Sequence, residues 1–412
     1  MDSSTPRRNS PALVSPAGTL QKLRYSAAYG ADEVYFGGTR FNLRSQAGNL
    51  TAAEITQGLA FCRERGVMSI FLLNSFLHEG DVEDARRYVR EIRHFRFDAV
   101  MVSDPGMLLL LREEGIGAPL HLSTQMSTLN HLAVKFWRDM GVERIVLARE
   151  VTLDEIRRIR GQTDARIEVF AHGALCISYS GRCLLSRYLA GRDANAGSCA
   201  HPCRWRYALV EEKRPGARLE IVEHGSGTEI LSSRDLCLLE RLPDYAEAGV
   251  DAFKIEGRMK SLYYAANTTR VYKHALRTCL EGGDYGALLP FWMEELELVS
   301  HRPYTADLFR GDGTAGETPY IRKADFLGCW EAPGGDGHEA FIHVFNPVHP
   351  GEPVEAIFPI DGGTVRDGLY RVEEIREGEK SVAMAQPGKV YLIRFDKEIY
   401  PFAILRRRID RQ

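Results

Sequence analysis

Four of the chain's eight cysteines lie within 28 residues, at Cys176, Cys183, Cys199 and Cys203. Six residues separate the first pair, 15 separate the second cysteine from the third, and three separate the last pair. Structural zinc sites usually contain a C-x2-C turn, a spacing that does not occur in this chain. Wider spacings suit a larger group, and a 4Fe–4S cluster takes a thiolate at each of four corners. The pattern therefore favours a 4Fe–4S cluster.

Two other interpretations of the thiols stay open. Cys237, in "SRDLCLLE", is an alternative to Cys203 as the fourth ligand. It also fits a buried thiol on a helix, because free cysteine is among the most buried residue types. A nucleophilic Cys–His pair is the second interpretation, since His172 and His201 are close in sequence to cysteines. A thiol protease, however, needs one activated cysteine and not four.

The N-terminal stretch "MDSSTPRRNSPALVSPAG" has no apolar core of signal-peptide length. No segment reaches the roughly 18 apolar residues of a membrane helix. We therefore expect a cytoplasmic protein without membrane contact, in which thiols stay reduced and clustered cysteines indicate metal or redox chemistry. The net charge of −3 gives no overall nucleic-acid signal, and basic character is local, in "RWRY" at 204–207 and "LRRRIDRQ" at the C-terminus.

The elements that position these cysteines alternate between short apolar runs and helical-period segments. Eight strands are predicted, at 12–15, 33–37, 68–74, 99–103, 120–124, 144–148, 166–171 and 252–256. Helices are predicted at 19–29, 52–65, 81–96, 105–114, 131–140, 153–162, 235–248 and 261–281. Eight such units predict a TIM-like (β/α)8 barrel, with a doubly wound open sheet as the alternative.

The domain organisation follows from where this alternation stops. Residues 1–10 are predicted to be a disordered tail and 11–283 the barrel, with a cysteine-rich insertion at 172–235. A bridging segment at 284–320 leads to a C-terminal all-β barrel domain at 321–412, where short alternating runs are separated by Gly and Pro clusters. Insertions of this size after a barrel strand usually carry function.

Polar side chains follow the predicted strands, at the edge where barrel enzymes place their active sites. We expect Arg149, Lys254 and Arg258 to hold an anionic substrate such as a carboxylate or a phosphate, because cationic donors suit such groups. Internal salt bridges with Glu150 and Glu256 are the alternative. The full set of candidate substrate-binding residues is Asn74, Gln125, Arg149, His172, Lys254, Glu256 and Arg258.

The stretch "EVFAHGALCISYSGRCLLS", from Glu168 to Ser186, resembles the signature of the collagenase-like peptidases, the unknown-mechanism peptidases numbered thirty-two. "LVSPAGTLQKLRYSAAYGADEVYFGG", "HLSTQMS" and "DAFKIEGRMKSLYY" resemble other parts of that family. The family name implies proteolysis. Better-characterised branches imply oxygen-independent hydroxylation with an iron–sulfur cluster, of a tRNA wobble uridine, an rRNA cytidine or ubiquinone precursors.

The four clustered cysteines together with "CRWRY" resemble the prephenate-dependent tRNA branch most. That resemblance implies Cys176, Cys183, Cys199 and Cys203 as ligands of a 4Fe–4S cluster, prephenate as the hydroxyl source and tRNA as the substrate. We therefore predict an iron–sulfur tRNA hydroxylase. The alternatives are a collagenase-like peptidase and a non-catalytic RNA-binding or cluster scaffold that works with a partner, for example a paralogous subunit.

Overall fold

The structure is a computed structural model. It describes residues 10–44, 48–175, 183–195, 197–202, 234–306, 320–360 and 366–409, and the backbone of four two-residue strands between 209 and 228. Cys176 and Cys203 therefore lie outside the described residues, as do most of the predicted N-terminal tail and much of the predicted cysteine-rich insertion. Among the helices that it describes, none is both long enough and apolar enough to cross a membrane.

Strands β1 to β7 alternate with helices α1 to α6 along the first part of the chain. The strands are β1 (Ala12–Pro16), β2 (Glu33–Gly37), β3 (Met68–Leu73), β4 (Ala99–Val102), β5 (Leu120–Leu122), β6 (Arg144–Val146) and β7 (Arg166–Ala174). The helices are α1 (Leu20–Ala28), α2 (Ala52–Glu64), α3 (Val82–Ile92), α4 (Pro105–Glu113), α5 (His131–Asp139) and α6 (Leu153–Arg160). Each of these elements overlaps its predicted position within a few residues.

The middle of the chain leads from β7 to the last barrel strand and the helices behind it. Its elements are α7 (Leu185–Ala190), β8 (Leu209–Val210), β9 (Arg218–Leu219), β10 (Glu223–His224), β11 (Gly227–Thr228), β12 (Asp235–Cys237), α8 (Leu242–Glu247), β13 (Ala252–Ile255), α9 (Leu262–Glu281), α10 (Tyr285–Glu297) and β14 (Tyr304–Thr305). Helix α10 lies within the predicted bridging segment. The helix predicted at 235–248 is wrong in its first part, because residues 235–237 form strand β12.

The parallel sheet closes on itself. Strand β13 pairs in parallel with both β1 and β7, so that β1 to β7 and β13 form an eight-stranded barrel. This confirms the TIM-like barrel and shows that the open doubly wound sheet is wrong. Local signals place the helix starts: Thr152 and Glu155 form a reciprocal capping box at α6, and Asp104 caps α4 ahead of Pro105.

The C-terminal strands form a second, smaller barrel that confirms the predicted all-β fold. They are β15 (Ala324–Pro333), β16 (Glu339–Val344), β17 (Pro353–Ile357), β18 (Gly368–Glu377), β19 (Lys380–Ser381), β20 (Val390–Phe395) and β21 (Ile404–Arg408). Six of them close an antiparallel barrel, since β17 pairs with both β18 and β21. This domain packs against helices α1 and α9. The Tyr25 hydroxyl donates a hydrogen bond to the Trp330 carbonyl at 2.7 Å, and the Arg406 guanidinium donates one to the Tyr263 hydroxyl at 3.0 Å.

A ladder of four buried charges crosses the interior of the parallel barrel. Arg144 on β6 donates two hydrogen bonds to Glu33 on β2, at 2.6 and 2.8 Å, and a third to Glu168 on β7 at 3.2 Å. Glu168 also accepts a hydrogen bond of 2.8 Å from Lys254 on β13. Burial alone raises the pKa of Glu168, but Lys254 and Arg144 bring it below its usual value. The ladder thus joins four strands by ionised pairs.

Replacing Arg144 with alanine should destabilise the barrel by about 3–5 kcal/mol, because the buried Glu33 carboxylate would lose its cation. The measurement is the free energy of unfolding from urea titration. Arg157→Ala is the control: Arg157 pairs with Asp154 at 3.0 Å on the solvent side of α6, and this change should shift the value by no more than about 0.5 kcal/mol. Equal effects of both changes would show that the ladder does not stabilise the fold.

Candidate functional site

A cavity of about 190 Å³ opens at the carboxyl ends of the parallel strands. The strands supply its walls with alternate side chains that point into the barrel, including Tyr35, Leu72, Met101, Val146 and Phe170. A space of this size holds on the order of ten water molecules, which is enough for one small ring. It lies at the edge of the barrel where the sequence predicts the active site.

Six of the seven predicted substrate-binding residues line this one cavity. They are Asn74, Gln125, Arg149, Lys254, Glu256 and Arg258. Asn74, Gln125 and Arg149 follow β3, β5 and β6. Lys254, Glu256 and Arg258 lie in or just after β13, so closure of the sheet is what brings these four strand ends together. The seventh, His172, does not line the cavity.

The cavity also contains two of the predicted cluster ligands. Cys183 and Cys199 both line it, and both are partly exposed. The alternative ligand Cys237 is elsewhere: it is buried in β12, where its Sγ lies 3.5 Å from the Tyr272 hydroxyl, and burial raises its pKa to about 11. Cys237 therefore lies apart from the cavity that Cys183 and Cys199 line, and the four-cysteine set with Cys203 stays a prediction.

Local hydrogen bonds shape the loop that carries the two thiols. The Asn195 side chain donates to the Cys183 carbonyl at 3.2 Å, and the Ala200 N–H donates to the Ser186 hydroxyl at 2.9 Å. Gly197 has a φ of +88°, and a Cβ there would lie 2.5 Å from the Asn42 carbonyl oxygen, so glycine lets this loop pack against the loop after β2. The loop is thereby held at the barrel mouth.

Cys199 accepts a backbone hydrogen bond at its sulfur. The His201 N–H donates to the Cys199 Sγ at 3.3 Å. Hydrogen bonds of this kind stabilise negative charge on sulfur and tune iron–sulfur centres. The contact between Cys199 and His201 thus comes from the backbone and not from the imidazole.

One wall of the cavity is a network of neutral polar groups centred on Gln125. The Gln125 Oε1 accepts hydrogen bonds from the Ser103 hydroxyl at 2.8 Å, the Ser123 hydroxyl at 3.1 Å and the Asn74 amide at 3.4 Å. Its amide nitrogen makes no hydrogen bond within the described part of the chain. Gln125 is therefore oriented with unused donors, which suits a carbonyl or carboxylate oxygen of a ligand.

The opposite wall carries a buried guanidinium. Arg258 is only 2% exposed, and it donates to the side-chain oxygens of Asn42 and Asn49. Its Nε has no hydrogen-bond partner, and no carboxylate of the described residues forms an ion pair with it. Burial lowers the pKa of Arg258 to about 10. The side chain is still protonated at neutral pH and so brings to the cavity a positive charge that forms no direct ion pair with a described carboxylate.

Other charges at the mouth reinforce this field. The Arg149 guanidinium lies over the Phe170 ring, 3.9 Å from its centroid. Arg44 lies 3.7 Å from Glu256, the one carboxylate among the described lining residues. Lys254 is balanced by Glu168, which is below the cavity floor. Among the described lining residues, cationic side chains outnumber carboxylates, which suits an anion.

Arg44 lines the cavity but is not among the candidate residues that the sequence predicts. It follows β2 in the loop 41–44, and this position after a strand is the same signal that singled out the other candidates. Tyr35 and Phe170 were also missed, because an aromatic residue inside a strand gives no sign of whether it faces the core or a ligand cavity.

His172 lies on the outer side of the barrel wall. The pairing of β7 with β13 skips Ala171, so that Phe170 pairs with Lys254 and His172 with Ile255. This bulge changes the alternation of the side chains. His172 is fully buried, its Nδ1 lies 3.3 Å from the Tyr272 hydroxyl, and its Nε2 has no partner. The expectation that His172 orients a substrate in the cavity is therefore corrected.

Known proteins resemble this chain over most of its length. The profile of peptidase family U32 matches residues 18–318. The chain is 33% identical to "tRNA hydroxylation protein P1" of Bacillus subtilis, over 96% of this chain and 94% of that protein. It is 36% identical to "tRNA hydroxylation protein P" of Escherichia coli, over 73% and 74%. It is also 29% identical to "Collagenase" of Porphyromonas gingivalis, over 94% and 95%.

The buried imidazole of His172 predicts sensitivity of the fold to acid. Burial is the main cause that lowers its pKa to about 3, with His301 and Lys260 acting in the same direction and Asp235 opposing. Below about pH 6.5 the unfolded chain takes up a proton that the native state does not, so the free energy of unfolding decreases as the pH is lowered. When the pH is lowered from 7.5 to 5.5, the free energy of unfolding should decrease by about 1 kcal/mol less in His172→Asn than in the wild type.

Urea titrations at the two pH values measure this difference. His131→Asn is the control, because His131 is exposed at the start of α5 and its removal should leave the pH dependence unchanged. The same pH dependence in His172→Asn as in the wild type would show that the imidazole is not kept neutral by burial.

Proposed function

Since this chain belongs to peptidase family U32, we propose that it is an enzyme that hydroxylates RNA. In its finer form, the proposal is that the substrate is the wobble uridine of tRNA and the product is 5-hydroxyuridine. Two relatives that it matches over most of their length are named tRNA hydroxylation proteins. The proposal also includes a 4Fe–4S cluster and prephenate as the hydroxyl source.

The observation that carries this proposal is the meeting of two kinds of residue in one cavity. Cys183 and Cys199 line the same space as Arg149, Gln125 and Arg258. A thiol-ligated redox centre and an anion-binding wall would therefore face the same cavity. Redox modification of a ring with the help of an anionic co-substrate needs both a redox centre and an anion-binding site.

The two described thiols in the cavity, those of Cys183 and Cys199, are suitable ligands for an iron–sulfur cluster. Thiols are the ligands that such clusters take, and the His201 N–H at the Cys199 sulfur is the kind of contact that stabilises them. No group of three or more metal-ligating side chains occurs in the described residues, and two of the four proposed ligands, Cys176 and Cys203, lie outside them. A bound cluster would supply one-electron redox chemistry to the cavity.

The protein's own residues would bind and orient the two substrates. Arg258 and Arg149 suit the carboxylates of prephenate, because guanidinium groups donate two parallel hydrogen bonds to a carboxylate. The unused amide donors of Gln125 suit a base carbonyl. Leu72 and Val146 keep the inner end of the cavity apolar and exclude water from the reacting ring.

A peptidase is the second candidate, because a relative is named collagenase. Cys199 and His201 are adjacent at the cavity, but the contact between them is donated by the His201 backbone and does not make the imidazole a base for the thiol. A third candidate is a non-catalytic scaffold that acts only with a second chain, such as a paralogous subunit. Activity of the purified single chain would argue against it.

The cluster can be tested on protein purified without oxygen. We expect brown protein with about four irons per chain and broad absorbance near 400 nm. The changes Cys176→Ala, Cys183→Ala, Cys199→Ala and Cys203→Ala should each remove the colour and the iron. Cys237→Ala is the matched control and should keep both, because Cys237 is buried outside the cavity. Colourless wild-type protein with one zinc would rule out the cluster.

The substrate can be tested in cells by mass spectrometry of tRNA nucleosides. A deletion strain should lack 5-hydroxyuridine and its derivatives, and the wild-type gene should restore them. If these nucleosides are unchanged in the deletion strain, the RNA-hydroxylase proposal fails. A collagen-degrading activity of the purified protein would then favour the peptidase.

The anion-binding wall can be tested with purified protein, tRNA and prephenate under anaerobic conditions. Arg258→Gln should raise the KM for prephenate about 10- to 100-fold, because a charged hydrogen-bond donor is lost from a buried site. The iron content should not change. Arg157→Gln, on the outer face of α6, should leave the KM as in the wild type. An unchanged KM in Arg258→Gln would remove Arg258 from the substrate site.

A further inference from the structure

Helix α7 presents large apolar side chains to solvent beside the cavity. Leu184 and Tyr188 are four residues apart, so they lie on one face of the helix, and they are 72% and 86% exposed. The other face is turned to the protein: Leu185 lines the cavity and Ser186 is fully buried. This arrangement is unusual, because a surface helix normally buries its apolar residues.

The cavity is small in comparison with a polymeric substrate such as RNA. Its volume is about 190 Å³, and the proposed function places the reacting base and an anionic co-substrate in or at the mouth of it. The nucleotides on either side of the modified one must therefore lie on the rim, which is formed by the loops after the strands and by 183–202. Among the described residues of this rim, the exposed large apolar side chains are Leu184, Tyr188, Leu189 and Met259. Tyr188 is the aromatic one.

The charge next to Tyr188 matches a nucleic acid. The side chain of Arg187 is 66% exposed, and its nearest carboxylate, that of Asp193, is 3.7 Å away, so it can still reach a phosphate. The cavity behind the helix has an excess of guanidinium groups, as described above. An exposed aromatic ring with a neighbouring arginine, at the edge of a positive cavity, is how proteins bind single-stranded nucleic acid.

A protein partner fits this patch less well. Stable protein interfaces bury about 800 Å² on each side, and the apolar patch that the described residues form on α7 consists of three side chains. Stacking of one base, in contrast, needs a single exposed ring, and it tolerates any base because every base has a flat face.

We propose that Tyr188, supported by Leu184, is the platform on which a nucleotide next to the modified uridine stacks, and that Arg187 contacts its phosphate. This inference rests on the proposed RNA substrate and deepens it. The cavity would hold the reacting base, while α7 would bind the neighbouring part of the RNA strand. Tyr188 is thus a substrate-positioning residue that lies outside the reaction chamber.

The experiment measures binding and hydroxylation of an unmodified tRNA transcript by the purified, iron-loaded protein. Tyr188→Ala should raise the KM and the Kd for tRNA about 10-fold or more, because one stacking interaction is lost. Tyr188→Phe keeps the ring and should behave as the wild type. The KM for prephenate and the iron content should be unchanged in both variants.

Phe136→Ala is the matched control, because Phe136 is an exposed aromatic residue (54%) on α5, away from the cavity lining. It should not change tRNA binding.

Wild-type affinity for tRNA in Tyr188→Ala would overturn the stacking platform, while the hydroxylase proposal would still stand. Wild-type protein that neither binds nor modifies tRNA would instead overturn the proposed function itself. A change of oligomeric state in Tyr188→Ala would show that a second copy of the chain, and not RNA, covers α7.

Discussion

The buried charge ladder from Glu33 through Arg144 and Glu168 to Lys254 is the constraint on which the candidate site depends. Ionised groups without water must be paired, so the four side chains require one register of β2, β6, β7 and β13. That register sets which residues follow each strand into the cavity. The last member of the ladder, Lys254, is itself part of the cavity wall, so the core and the site share a residue.

Strand β7 transmits this constraint to the cysteine loop. Within nine residues it places Glu168 in the ladder, Phe170 in the cavity wall and, after the bulge at Ala171, His172 behind the wall. Its end extends beyond the barrel and is held there by antiparallel pairing with β12. The chain then enters the segment that contains Cys183 and Cys199. The two thiols line the same cavity as Phe170 of β7 and Lys254 of the ladder.

The parts of this structure that depend on local pattern could be predicted from sequence, and the parts that depend on long-range pairing could not. Buried parallel strands are short apolar runs, and capping residues mark helix starts, so the barrel strands and α1 to α6 were found. Residues 235–237 have a helical pattern with their neighbours but pair with residues 172–174 of β7, far earlier in the chain. The outward position of His172 depends on a bulge opposite β13, which no local pattern reports. The neutral partners of Arg258 come from the loop after β2, at the other end of the barrel sequence.

Arg258 shows why this site is better explained by ligand binding than by stability. A fold selected for stability alone would pair a buried guanidinium with a carboxylate, as the barrel does for Arg144. The cavity instead surrounds Arg258 with asparagine oxygens, and Glu256, the nearby acid, lies opposite Arg44 at 3.7 Å. Desolvation of a cation without a counter-ion costs stability, and such costs are concentrated at functional sites. An anionic ligand would supply the missing charge and so gain binding energy that a pre-formed salt bridge would have used within the protein.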